Sequence, residues 1–464
     1  MTARVYAHFI GVGGAGMSGL ARVLHERGIA VTGSDMRQSR YAAALAGLGI
    51  PVFVGHDAAN LGDPEVVVVS TAIPETNPEL IEARRRGIPV WQRARMLAEL
   101  AGDRLTIAVA GTHGKTSTSS MMAAALVAAG EDPTFLIGGE LPDMGGNARC
   151  GAGRHYVVEA DESDGSFLLL YPYCAIVTNI EADHLDHYSS LDEIIETFGE
   201  FLGHVHPDGV SVLCADDPIL TAIAGKSRAR VVAYGRSEEA DVRLVDYQSV
   251  GSGSSFIVAF PDGHRLACTL ATPGVHMALN ATGVLAAVHA LGLDVAAAAR
   301  GIASFSGVRR RFEPVGEVGG VRVIDDYGHH PTEVRATLAA ARSASDGRVW
   351  VVFQPHRYSR TQALARDFGE SFDDADHVVL LDVYSAGEAP VPGVSGKTLV
   401  DAVLRHAPRT RLAYFPHRAA TPAYVAERAR PGDLVMTMGA GDVTAMGPEI
   451  LRALEDRAEQ EARR

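Results

Sequence analysis

Residues 105–117 read LTIAVAGTHGKTS: a mostly apolar run, then a glycine-rich turn, a lysine and two hydroxyl residues. The run is strand-like and the Ala-rich stretch from Ser117 to Ala129 is helix-like, so the turn lies where a strand hands over to a helix. It matches GxxGK followed by Ser or Thr at Gly111, Thr112, His113, Gly114, Lys115, Thr116 and Ser117, a pattern that chance supplies to this chain roughly 0.004 times. Backbone N–H groups in such a loop cradle phosphates, and Thr116 is placed to be a hydroxyl ligand of Mg²⁺. The loop is shorter than the common GxxxxGK[ST], since Gly111 stands three residues before Gly114 and position 109 is valine. Composition supports the reading: 42 residues are Lys or Arg, and lysine occurs only at 115, 226 and 397. A chain that otherwise writes arginine keeps the compact, flexible ammonium where it must reach the β and γ phosphates of ATP.

The same strand-turn-helix grammar appears upstream. VYAHFI is followed by GVGGAG at 11–16, a helix from about Met17 to Arg27, the strand AVTGSD ending at Asp35, and VVVVSTAI at 66–73. The glycines fit GxGxxG in a βαβ unit, which holds a diphosphate at a helix start; NAD, FAD and nucleotide-sugars all carry one. Downstream of the phosphate loop, EADESD (159–164) and NIEADHLDHY (179–188) each follow a strand, YVV and CAIVT. Glu159 is a candidate oxygen ligand for a hard cation and His184 a nitrogen ligand; helix caps or solvated acids are the alternative. Zinc at His184 and His187 lacks a third ligand of suitable spacing.

Length and composition set the frame. At roughly 150 residues per domain, 464 residues make about three domains, and 47% hydrophobic with 21% charged residues is an ordinary globular balance. Domains are expected at 1–103, 104–314 and 315–464, with an antiparallel insertion over about 227–272. The net charge of −14 argues against a nucleic-acid partner. No apolar run is long enough to span a membrane, the N-terminus lacks a signal-peptide layout, and the four cysteines form no CxxC pair, so a cytoplasmic protein is expected. The last third repeats the α/β rhythm in strands 321–328, 349–355, 377–383 and 434–442, two of them followed by DDYGHHPTE (325–333) and FQPHRYSR (353–360). His329, His330, His356, Arg357 and Arg360 gather there, and such arginines suit a carboxylate. RRRF (309–312) is a phosphate contact or a hinge pin.

Taken together, HFIGVGGAGMSG, GTHGKT, EADESD, DHLD, GVRRRFE, DDYGHHPTEV, FQPHRYSRT, VYSAGE and GAGD resemble, in order and over nearly the whole chain, the Mur ligases of peptidoglycan synthesis. The resemblance implies an α/β fold of three domains: an N-terminal Rossmann-like UDP-binding domain, a central P-loop ATPase-like domain and a C-terminal Rossmann-like domain. It implies ATP-dependent joining of L-alanine to UDP-N-acetylmuramate, with Mg²⁺ or Mn²⁺ as the metal; oligomeric state stays open between monomer and homodimer. Carried over, Gly11, Gly13, Gly14, Ala15 and Gly16 would hold the UDP diphosphate, with Asp35, Ser70 and Thr71 near the uridine. Lys115 is expected to be catalytic, Thr116, Glu159 and His184 to bind metal, and His276, Asn280, Arg311 and Asp326 to contact ATP. Tyr327, His329, His356, Arg357 and Arg360 look like the amino-acid pocket, with His329 the proton acceptor. Two departures stand out: the family's HNxxN reads HMALN here, with Met277, and no lysine lies between 115 and 226 where several relatives carry a carbamylated one. Competing readings are a ligase for a murein tripeptide, an NAD-dependent oxidoreductase and a nucleotide sensor without catalysis.

Overall fold

The computed structural model describes residues 6–184 and 187–462. Three sheets follow one another along the chain. The first contains β1 (Tyr6–Ile10), β2 (Ala30–Asp35), β3 (Val52–Val54), β4 (Val66–Val69) and β5 (Val90–Gln92), all parallel in the order β3-β2-β1-β4-β5. The order reverses direction between β1 and β4, which is where such sheets bind ligands at their carboxyl ends. The four valines of β4 are all buried, as expected of a strand covered on both faces. One buried acid ties this region together. Glu79, at the start of the helix Pro78–Arg85, is bonded by His8 of β1, Ser34 of β2 and Asn60. Burial opposes its charge, but these partners hold the carboxyl down at about 2.

The second sheet contains β6 (Leu105–Ala110), β7 (Thr134–Leu141), β8 (Gly146–Arg149), β9 (His155–Glu159), β10 (Cys174–Val177), β11 (Val210–Cys214), β12 (Arg230–Gly235), β13 (Val242–Val250), β14 (Gly253–Ala259) and β15 (Arg265–Leu270), in the order β15-β14-β13-β12-β11-β10-β6-β9-β7-β8. The stretch from β12 to β7 is parallel, and β8 runs antiparallel at the edge. The antiparallel part of 227–272 is therefore narrower than the sequence suggests. β12 pairs parallel with β11, and only β13, β14 and β15 are joined by hairpin-length connections.

The third sheet contains β16 (Glu313–Val318), β17 (Val321–Asp326), β18 (Val349–Phe353), β19 (His377–Leu381), β20 (Arg411–Phe415) and β21 (Leu434–Met438), ordered β16-β17-β21-β18-β19-β20 with only β16 antiparallel. Val351, Phe353, Leu380 and Met436 pack on one face, and Trp350, Val352, Val379 and Val435 on the other. Alternate residues of each strand thus feed two cores.

The chain divides into two compact units. One comprises Met1–Val245, Val258–Leu266 and Leu279–Phe305; the other comprises Asp246–Ile257, Ala267–Ala278 and Ser306–Arg464. Within the first, the helix Ala15–Glu26 is tied to the β7–β8 hairpin region, because Ala15 C=O accepts from Asn147 at 2.9 Å and Gly145 C=O from Arg22 at 2.8 Å. Among the described residues no helix is long and apolar enough to cross a membrane.

Candidate functional site

The phosphate loop leaves β6 at Gly111 and enters the helix Lys115–Ala128 at Gly114, which is left-handed at φ 84°. The helix begins two residues before Ser117, so Lys115 and Thr116 occupy its first turn. The segment after β10 forms the loop's floor. Thr112 N–H donates to Asn179 C=O, His113 N–H donates to the Asn179 side chain, and Thr178 Oγ1 donates to His113 C=O at 2.5 Å. Sequence reading missed Thr178 and Asn179; their position directly after a strand that borders β6 was the available signal. Asn280, four residues after His276 on the helix Val275–Ala290, lies beside Gly114, where a Cβ would meet its amide at 3.1 Å.

Lys115 is folded back over this loop, its Nζ donating to Gly111 C=O, Thr112 C=O and Glu162 Oε1. Burial works against its charge, but Glu162, Asp161 and Glu159 outweigh it and hold the ammonium above the ordinary lysine value. Thr116 Oγ1 donates to Glu159 Oε1 at 2.9 Å, and Gly138 N–H donates to Oε2 at 2.7 Å. A hydroxyl and a carboxylate side by side at the foot of a phosphate loop are the hard oxygen donors Mg²⁺ takes, so these residues fit that ion. His184, with positive φ of 53°, has its Nε2 3.8 Å from Glu162 Oε1 and 3.7 Å from Asp183 Oδ2. Its neighbours Leu185 and Asp186 lie outside the described residues.

At the first sheet's switch point the loop amides are largely committed. Gly11 and Val12 N–H donate to Ser34 C=O, Gly13 N–H to Asp35 Oδ2 at 2.9 Å, and Gly14 N–H to Gly11 C=O. The first intrahelical bond is Ser18 N–H to Gly14 C=O, leaving the N–H groups of Ala15, Gly16 and Met17 to face an anion. Asp35 thus braces the loop through Gly13, and the turn at Ser70 and Thr71 brings Ile73 against Gly11. Arg93, which no motif marks, packs its guanidinium on Gly16 and stands 3.7 Å from Asp161. Both line a cavity of about 90 Å³ with Gly138, Asn147 and Glu159.

In the second unit the carboxyl ends of β17, β18 and β19 gather the remaining candidates. Asp326 ends β17 with 4% exposure, accepting from Phe312 N–H at 2.8 Å and Gly328 N–H at 2.7 Å. Burial pushes its carboxyl up to about 6 against the pull of Arg311. Arg310 and Arg311 lie over the Tyr327 ring, 4.9 and 5.2 Å from its centre. Burial, reinforced by Arg311, pushes His276 down to about 4, so this imidazole is neutral. Glu333 accepts from the His329 N–H and approaches Arg311. The His329 and His356 rings are 5.6 Å apart, Tyr384 stacks on His356 at 5.8 Å, and Arg360 Nη1 lies 3.4 Å from His356 Nδ1. Arg357, at φ 67°, donates its N–H to Tyr384 C=O. Tyr384 belongs to VYSAGE, whose role spacing alone did not reveal.

Three family models match the chain in order: Mur ligase family, catalytic domain, over residues 6–104; Mur ligase middle domain over 109–288; and Mur ligase, glutamate ligase domain, over 310–441. A UDP-N-acetylmuramate–L-alanine ligase of Rubrobacter xylanophilus is 50% identical over 450 residues, covering 96% of this chain and 99% of its own. One of Acidothermus cellulolyticus is 50% identical over 456 residues, covering 97% and 95%. The crystal structure of UDP-N-acetylmuramate-alanine ligase from Thermotoga maritima superposes with a TM-score of 0.79 at 28% identity, covering 97% of this chain and 99% of that one. A murein peptide ligase of Psychrobacter arcticus gives 0.71 at 26% identity, covering 97% and 98%.

Proposed function

The chain belongs to the Mur ligase family, and on that premise we propose that it joins L-alanine to the lactyl carboxylate of UDP-N-acetylmuramate at the expense of ATP. The observation that carries the ATP half is the loop Gly111–Thr116 with Lys115 at its helix start and Thr116 bonded to Glu159. The two relatives at 50% identity over nearly the whole chain support the choice of acceptor and amine. The reaction is the work of a cytoplasmic enzyme.

The chain's residues divide the work. The N–H groups of Ala15 to Met17 receive the UDP diphosphate, while Asp35, Ser39 and Ile73 keep that loop in shape. The lactyl carboxylate attacks the γ-phosphorus; ADP leaves and an acyl phosphate forms. Lys115 moves its ammonium onto the transferring phosphoryl group, where charge builds up. Thr116 and Glu159, with His184 as a further ligand, would hold Mg²⁺, which when bound would supply charge neutralisation on the phosphates. The alanine amine then attacks the activated carbonyl and inorganic phosphate leaves. Arg357 and Arg360 suit the alanine carboxylate. His329 Nδ1 lies 3.1 Å from Tyr327 C=O, an acceptor only, so Nδ1 carries the proton and Nε2 is the ring nitrogen that takes the proton the amine loses.

Phosphate release from ATP, Mg²⁺ and UDP-N-acetylmuramate, with L-alanine, murein tripeptide or no amine, tests this. Release with alanine, abolished by Lys115→Ala, is the expected result. Release with the tripeptide alone would move the chain to recycling, and none with either would overturn the ligase reading.

A further inference from the structure

An ammonium has three N–H bonds to give, and in this structure all three of Lys115 are spent. Two go to carbonyls of its own loop, Gly111 at 2.6 Å and Thr112 at 3.1 Å; the third goes to Glu162 at 2.7 Å. Glu162 comes from the segment after β9 and is 2% exposed, and its second oxygen, Oε2, is buried with no hydrogen-bond partner among the described residues. The turn that carries it is fixed, since Tyr188 O–H donates to Glu162 C=O at 2.5 Å and Gly165 N–H donates to the same oxygen. Lys115 cannot donate to a phosphate while all three bonds stand. The two carbonyl bonds travel with the loop, whereas the bond to Glu162 crosses to another element and pairs the ammonium with a carboxyl that burial pushes up to about 7 against the pull of Lys115, a charge-assisted bond in direct competition with a phosphate.

Resting on the ATP reading above, we infer that Glu162 is the resident counter-ion of Lys115: its carboxylate occupies the lysine's anion slot, and the triphosphate enters by displacing it. Glu162 is thus a positioning residue. It keeps a half-buried ammonium paired and the loop preassembled, and it sets nucleotide affinity lower than the loop alone would give. The sign of its effect separates this role from a structural one. Glu162→Gln keeps the shape and an acceptor oxygen but removes the charge, so the displaced partner is weaker and nucleotide binds tighter. A residue needed only for shape gives weaker binding when altered.

The test is titration calorimetry with Mg²⁺ and the non-hydrolysable analogue AMP-PNP, acceptor and amine withheld, on wild type, Glu162→Gln, Lys115→Met and the double variant, with melting temperatures alongside. Glu162→Gln is expected to bind about tenfold tighter, the worth of exchanging one charge-assisted bond for a neutral one. In the Lys115→Met background the same change is expected to give about threefold or less, because only the general field of the carboxylate remains. Unchanged or weaker binding by a folded Glu162→Gln overturns the inference, as does equal tightening without Lys115. Should the Gln variant not fold, Glu162→Asp, which draws the carboxylate back by one methylene, is expected to bind tighter than wild type; binding no tighter overturns the role. Absence of AMP-PNP binding by the wild type refutes the nucleotide reading itself, and the counter-ion role with it.

Discussion

Gly111→Ala probes why the phosphate loop of this chain begins where it does. Gly111 has φ 130°, a region side-chain-bearing residues rarely adopt, and a methyl there would lie 2.1 Å from Thr178 Oγ1 and 3.1 Å from both the N and the C=O oxygen of Asn179. A carbon–oxygen contact needs about 3 Å, so roughly 1 Å must be recovered. Thr178 cannot yield it: the residue is 4% exposed and its hydroxyl is bonded to His113 C=O at 2.5 Å. Backbone strain of about 1–2 kcal/mol and overpacking of about 1–3 kcal/mol make the loop the part that moves. A displacement near 1 Å at a phosphoryl-transfer site costs about 10²-fold in rate. Phosphate-release kinetics should therefore show kcat/KM for ATP falling about 10²-fold, while the melting temperature changes by only a few degrees. Adding Thr178→Ala removes the shortest clash and leaves the Asn179 backbone, so about tenfold of the loss should return. Gly111→Ala with kcat/KM within threefold of wild type would refute the argument.

Three further outcomes follow from the same geometry. Glu159→Gln keeps an acceptor for Gly138 N–H but loses the anionic oxygen beside Thr116, so the Mg²⁺ concentration for half-maximal activity should rise roughly 10- to 100-fold, read from a metal titration at saturating ATP. Asp326 is held at about 6 against an ordinary 3.8, so protonation favours the fold: its stabilising contribution is complete below pH 3.8 and lost as pH rises through 6. The unfolding free energy of wild type minus that of Asp326→Asn, from urea titrations, should fall by about 2 kcal/mol between pH 4 and pH 7; a flat difference refutes the buried-carboxyl assignment. Lys115→Arg should abolish turnover as completely as Lys115→Ala, in phosphate-release assays on protein with an unchanged melting temperature; turnover within tenfold of wild type would show that charge alone suffices.

Parallel strands buried on both faces were legible where burial writes a continuous apolar run, as in VVVV at 66–69 and VWVVF at 349–353; β11, VSVLC, is buried as fully but carries a serine within its run and was not singled out. Edge strands were not legible. β3 and β5 have three residues each, and β20, RLAYF, has no fully buried residue, so neither length nor periodicity set them apart from loops. Within the site, residues fixed by a local pattern were readable: Gly111 to Thr116 next to a strand, and Glu159 at the end of another. Thr178, Arg93 and Glu162 act through contacts between segments far apart in sequence, with 93 and 16 or 162 and 115 brought together only by the fold. No spacing rule encodes such contacts, since the same side chains on a surface are unremarkable.

The scarcity of lysine becomes intelligible at this level. Arg348 grips Asp433 through Nε at 3.1 Å and Nη2 at 2.6 Å, a two-nitrogen contact that a planar fork makes well. Lys115 instead sends bonds from one nitrogen to three acceptors, two carbonyls of a tight loop and a carboxylate above it. Those directions diverge from a point, which an ammonium satisfies and a guanidinium, with its donors spread over three nitrogens in a plane, cannot. The volume matters as well: the side chain is only 14% exposed, so the larger group would have to displace Gly111 or Glu162. A chain free to exchange Lys for Arg at exposed ion pairs is held to lysine here by donor geometry and by space, two constraints that persist when a phosphate takes the place of the carboxylate.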